Sequence, residues 1–132
     1  MRVIYFDRTQ VVPVVDAKVF GPRASRKLGL VFDTGSGITQ VDTEFIERIG
    51  YSAVNAEKIS GVRGAIGGVQ DGYVVRLKKL SVFGVNFENL PVLVYDFDNF
   101  KEDGIDGLLG FDVIKEMDLE LKGKGGLLVV RD

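Results

Sequence analysis

Apolar and polar positions alternate along most of this chain, and the alternation is of the two-residue kind. "RVIYF" near the start and "VVPVVDAKVF" after it are rich in β-branched residues and predict strands. Pro13 lies inside the second stretch and predicts an edge position or a bulge, because proline has no N–H for a strand ladder. "GPRASRK" predicts a turn. "LGLVF" is a nearly continuous apolar run, as expected of a strand buried on both faces. Further strands are predicted in "AEKISGV", "YVVRLKKLSVFG", "LPVLVYDF", "DLELK" and "GLLVV".

The period changes in "VDTEFIERIGY". Phe45, Ile46 and Ile49 fall at helical spacing, Asp42 or Thr43 suits the N-cap, and Gly50 suits the position after the last turn. This predicts a helix from about Thr43 to Ile49. A second short helix is predicted near Asp112 to Met117, after "DGLLGF". The chain contains no fixed-period repeat, linker or low-complexity tract, so residues 1–132 are read as one domain. The pattern describes an all-β domain with two short helices. So many strands in so small a chain must protect their edges, either by closing into a barrel or by pairing terminal strands with another subunit.

Composition then removes whole classes of chemistry. The 132 residues include no cysteine and no histidine. Disulfides, thiolate metal sites and any Ser–His or Cys–His nucleophile are excluded, and the commonest metal ligand is missing. Acid–base chemistry near neutral pH falls to carboxylates. The net charge is −2 with basic residues dispersed, so no stripe tracks nucleic acid. No apolar run approaches the roughly 20 residues that span a membrane. The opening "MRVIYFDRTQ" is too short in apolar residues for a signal-peptide core. The expectation is a soluble, cytoplasmic protein with no metal and no cofactor.

The segment "GLVFDTGSGITQVD" concentrates the candidate chemistry. A phosphate-binding loop fails on detail, because the lysine of the P-loop pattern is absent and Gln40 stands where a third glycine belongs. A metal site lacks partner ligands for Asp33 within the turn. A catalytic carboxylate has a physical logic: an apolar strand fixes the backbone of Asp33, and Gly35 permits a sharp turn and offers its N–H to the carboxylate. An ordinary solvated turn has the same three residues, so the tripeptide alone leaves both readings open. The acid-rich "YDFDNFKEDGID" does not fit a calcium loop, since Lys101 occupies the required glycine position.

Three segments in order widen the evidence. "LVFDTGSGITQVDTEFIERIG" resembles the active-site segment of retropepsin-like aspartic proteases, particularly their small prokaryotic members. "RGAIGGVQDGYVVRLKKLSVFGVNFENLPVLVYDF" looks like their flap and following strands. "DGIDGLLGFDVIKEMDLELKGKGGLLVV" looks like their closing segment with its helix, so the resemblance runs from about Val11 to Val130. It implies a closed, β-barrel-like acid-protease fold with two short helices. It also implies an aspartic endopeptidase acting on a peptide or unfolded-protein substrate. In that chemistry two carboxylates share one proton and activate a water. The chain has a single D-T-G, so the resemblance implies a homodimer in which each chain supplies Asp33. Thr34, Gly35 and Ser36 would complete the active-site turn, and Gly64, Ala65, Ile66, Gly67 and Gly68 would form the flap over bound peptide. Asp106 is expected to brace a turn rather than do chemistry. Retroviral members usually have alanine and then an acid after D-T-G, whereas Ser36 and Gly37 stand here. The Ser36 hydroxyl is expected to donate to the outer oxygen of Asp33 and stabilise its ionised form. Two other functions stay open at this point: a catalytically silent homodimeric peptide-binding or assembly module of the same fold, and a structural β-domain of a larger complex.

Overall fold

The structure is a computed structural model that describes residues 1–53, 56–63 and 69–131. In chain order the elements are β1 (Arg2–Tyr5), β2 (Val14–Phe20), β3 (Ser25–Phe32), β4 (Gln40–Asp42) and α1 (Thr43–Arg48). Then come β5 (Glu57–Arg63), β6 (Val69–Val82), β7 (Val85–Tyr95) and a 3-10 turn (Asp98–Asp103). The chain ends with β8 (Gly107–Leu109), α2 (Phe111–Ile114), β9 (Asp118–Lys122) and β10 (Leu127–Arg131).

Six strands close on themselves in the order β2-β3-β8-β4-β7-β6, and β2 pairs again with β6 to complete the barrel. The strand β5 is bonded to β6 outside this ring. The terminal strands form a separate sheet in the order β1-β10-β9, with Arg2 opposite Val130. Closure into a barrel, the first expected route to edge protection, is therefore present, and the terminal strand β1 pairs with β10 of its own chain.

Alternation explains the barrel wall. Along β2, Val15, Ala17 and Val19 turn inward, while Asp16 and Lys18 face out. Leu30, Val41, Leu77, Leu80 and Leu109 meet them from neighbouring strands, and Ile46 of α1 and Ile49 just after it belong to the same core. A second, smaller cluster lies on the other face of β7 and β8, where Leu93, Tyr95, Phe97 and Leu108 pack with Val31, Ile38, Val74 and Phe100. The strand β8 is wedged between β3, to which it runs parallel, and β4, to which it runs antiparallel. That approach is so close that a Cβ on Gly107 would lie 2.0 Å from the Gln40 carbonyl oxygen, which restricts the position to glycine.

The expected helices are present but short. Asp42, not Thr43, caps α1, accepting from the Phe45 N–H, and Gly50 at φ +104° leads the chain away after the Ile49 C-cap. The expected helix from Asp112 to Met117 is a single turn that begins earlier, at Phe111, and ends at Ile114. Pro13 sits just before β2 rather than within it, and its carbonyl accepts from the Phe32 N–H at 2.9 Å. The predicted turn "GPRASRK" is tighter than its pattern suggests, because β3 already starts at Ser25.

Asp42 joins two parts of this frame. It is 2% exposed, and its carboxylate accepts from the Phe45 N–H at 3.3 Å and the Phe97 N–H at 2.9 Å. An Asp42→Ala substitution removes a cap and orphans a buried N–H. It is expected to cost about 2–4 kcal/mol of stability, read from urea denaturation.

Candidate active site

The site begins with how β3 ends. Leu30 points into the barrel and Val31 points to the opposite face. The ladder with β8 runs one residue past the strand, because the Asp33 N–H donates to the Leu109 carbonyl at 3.0 Å. The backbone of Asp33 is thereby tied to a fully buried residue of the core. The chain then turns: the Ser36 N–H donates to the Asp33 carbonyl at 3.3 Å, and the Gly35 N–H donates to Asp33 Oδ1 at 2.9 Å. A Cβ on Gly35 would stand 3.2 Å from that same oxygen, so a small residue keeps the approach open. Asp33 is half-buried, Thr34 and Gly35 are exposed, and Asp33 Oδ2 accepts no hydrogen bond among the described residues.

Ser36 does something other than expected. The turn carries its side chain inward, where it is 9% exposed. Its Oγ donates to the Ile38 carbonyl at 2.7 Å and accepts from Gln40 Nε2 at 3.2 Å. A hydroxyl has one proton to give, so the expected bond to the outer oxygen of Asp33 is not formed.

A second set of bonds locks the loop that follows. The Thr39 N–H donates to Asp112 Oδ2 at 3.1 Å, and Thr39 Oγ1 donates to Asp112 Oδ1 at 2.8 Å. The Gly110 N–H donates back to Thr39 Oγ1 at 3.0 Å, and the Phe111 N–H donates to the Ser36 carbonyl at 2.7 Å. The aspartate turn is thus stitched to the chain at α2 along its length. Asp106 braces the other end: its Oδ2 accepts from the Gly29 N–H at 2.9 Å, while its own backbone bonds Gly29 and Asp42. Beside the turn lies an open apolar groove of about 460 Å³, lined by Thr34, Phe32, Phe111, Met117, Leu119 and Leu121 among others. Among the described residues no cluster of His, Cys, Asp and Glu could hold a metal ion.

A family model described as aspartyl protease matches residues 15–113, which takes in the aspartate turn, the barrel and α2 as far as Val113. The chain belongs to the aspartyl protease family. The fold of this family member is that of the retropepsins. It superposes on a retropepsin-like aspartic protease from Rickettsia conorii with a TM-score of 0.68 at 17% identity, covering 98% of this chain and 88% of that one. The retroviral protease-like domain of Ddi1 from Leishmania major gives 0.58 at 14% identity, over 93% of this chain and 90% of that one. The EIAV protease, in complex with the inhibitor HBY-793, gives 0.56 at 18% identity, over 81% and 88%. No curated protein sequence matches the chain.

In this aspartyl protease family member, Asp33, Thr34, Gly35 and Ser36 form one turn. The expected flap residues Gly64, Ala65, Ile66, Gly67 and Gly68 lie outside the described residues, between β5 and β6. The sequence pattern gave no site role to Thr39, Gln40 or Asp112. One signal was available for Asp112: Gly110 offers α2 no side-chain cap, so an acid in the first turn is free to bond elsewhere.

The two groups of bonds differ in number, which orders their loss. Ser36→Ala removes the donor to the Ile38 carbonyl and the acceptor for Gln40 Nε2, both neutral bonds, and is expected to cost about 1–2 kcal/mol. Asp112→Ala removes the acceptor for Thr39 N–H, Thr39 Oγ1 and Val113 N–H, and is expected to cost about 2–4 kcal/mol. Chemical denaturation of both variants checks the order.

Proposed function

We propose that this member of the aspartyl protease family is an endopeptidase that works as a homodimer. It cleaves peptides or unfolded proteins with a water held between Asp33 of one protomer and Asp33 of its partner. One observation carries the reading. Asp33 ends a strand locked to the core, has one oxygen anchored on the Gly35 N–H, and has a second oxygen open to other partners.

The chemistry needs two carboxylates. One takes a proton from water as the oxygen adds to the scissile carbonyl carbon, and the other gives its proton to the carbonyl oxygen. As the tetrahedral species collapses and the C–N bond breaks, the carboxyl that took the water proton gives it to the leaving amine, and the other takes a hydroxyl proton back from the diol, which restores the pair. Two like charges about 3 Å apart repel, so the proposed pair shares one proton between its members. With one D-T-G per chain, a two-fold axis beside Asp33 supplies the second carboxylate at no further sequence cost. The exposed Thr34 and the apolar groove next to it support a protein surface at that axis.

Digestion of an unfolded protein, followed from acidic to neutral pH, tests this. Wild type is expected to cut with a bell-shaped pH dependence. Asp33→Asn keeps the shape of the side chain but cannot transfer the proton, so it is expected to fold and associate normally. Its cleavage is expected to fall by on the order of a thousandfold or more. Cleavage by Asp33→Asn at the wild-type rate would remove Asp33 from the chemistry. Peptide binding without cleavage by wild type would favour a silent binding module.

A further inference from the structure

Lysines that are dispersed along the sequence meet on one outer face of the barrel. The alternation that buries Val15, Ala17 and Val19 along β2 turns Lys18 and Phe20 to the outside. Register sets Lys27 of β3 directly opposite Lys18, and Lys79 of β6 directly opposite Phe20. The ammonium groups of Lys79 and Lys18 lie 4.1 Å and 5.1 Å from the centre of the Phe20 ring. Beside them is an open depression of about 550 Å³, lined by Phe20, Arg23, Ser25, Lys78, Lys79 and Glu88 among others.

Among the described residues none of Lys18, Arg23, Lys27, Lys78 and Lys79 has a carboxylate partner, and Glu88 stands opposite Lys79 in register without pairing with it. Like charges directly opposite one another across a sheet are destabilising, and Lys18 and Lys27 are such a pair. The whole chain carries a net charge of −2, so this face concentrates positive charge against the overall balance. The Phe20 ring offsets part of the repulsion, and anions from outside the chain would offset the rest.

The arrangement also distinguishes between anions. Single-stranded nucleic acid stacks its bases on open aromatic faces, whereas the Phe20 ring already carries two ammonium groups. Phosphate is gripped best by the fork of arginine, and Arg23 is the only arginine that lines the depression. Lysines are compact point charges that suit separate carboxylates. Opposite and diagonal positions on neighbouring strands lie about 5–8 Å apart, close to the roughly 7 Å between alternate side chains of an extended peptide.

We propose that this face docks an acidic peptide segment in extended form. Lys18, Lys27 and Lys79 take its carboxylates, and Arg23 and Lys78 continue the track toward the β2–β3 turn. Lys27 precedes Asp33 by six positions along β3, about 20 Å at the rise of a strand. The docking site is therefore separate from the cleft of the proposed function, and binding there does not need cleavage.

The test titrates the Asp33→Asn protein at low ionic strength with a fluorescent ten-residue peptide in which glutamate alternates with serine. Binding is read by anisotropy. The peptide is expected to bind, more weakly as salt is added, and its glutamine counterpart is not. Lys27→Gln with Lys79→Gln is expected to weaken binding about tenfold, while the same change at Lys122 and Lys124 leaves it within about twofold. Lys27→Gln alone serves if the double variant melts early: it is expected to weaken binding about threefold with Tm unchanged or raised, since it relieves the repulsion with Lys18. Failure of the acidic peptide to bind, equal losses in the two double variants, or single-stranded DNA of the same charge binding as tightly would overturn the proposal. Digestion of an unfolded protein by wild type separates the two claims. Cutting by a protein that does not bind the acidic peptide removes the docking site alone. Binding of the acidic peptide without any cutting removes the endopeptidase and leaves the docking site in place.

Discussion

The hydrogen bond from the Asp33 N–H to the Leu109 carbonyl is the constraint on which the site depends. It extends the parallel pairing of β3 and β8 one residue beyond the barrel. Leu109 is fully buried, so the bond ties an otherwise turning backbone to the packed core. In the proposed dyad a second carboxylate stands about 3 Å away, a geometry that tolerates little positional scatter and that an aspartate on a loose turn would not hold. The closeness of β8 to β4, permitted by Gly107, keeps Leu109 where it is.

The cost of this arrangement is visible in which polar residues are buried. Among the described residues these are Ser36, Thr39, Gln40 and Asp42, all within the short run that follows the aspartate turn. Buried polar groups destabilise unless they are bonded, and here the bonds are also the means of fixing the loop. Ser36 holds the turn to Ile38, Thr39 holds it to Asp112 and Gly110, and Asp42 holds α1 to the Phe97 segment. The network converts a run of short polar side chains into a stiff support. Gln40 Oε1 stands out from it as a buried acceptor that meets no donor among the described residues.

Much of this fold was legible in the sequence, and the reasons differ by element. The inward row of Val15, Ala17 and Val19 has a clear two-residue period, and Phe45, Ile46 and Ile49 have a helical one. The strands β4 and β8 have three residues each, too few for any period to emerge, yet they complete the barrel. The D-T-G turn and its glycine N–H were legible because backbone geometry alone dictates them. The Ser36 bond was not: whether a serine hydroxyl faces a carboxylate or a carbonyl depends on the turn carrying it inward. Asp112 was equally hidden, since its partner Thr39 lies far away in sequence and is reached only once β8 is in place.

In the proposed reaction each chain brings one carboxylate and two are needed. Mixing wild-type protein with an equal amount of Asp33→Asn chains, under conditions where protomers exchange freely, tests it most directly. If the pair is shared across the axis, only dimers of two wild-type chains cut, and activity falls to about a quarter of that of the same total amount of wild-type protein. Activity at about half, following the wild-type chains in simple proportion, would show that each chain is active with its own Asp33 and would contradict the account.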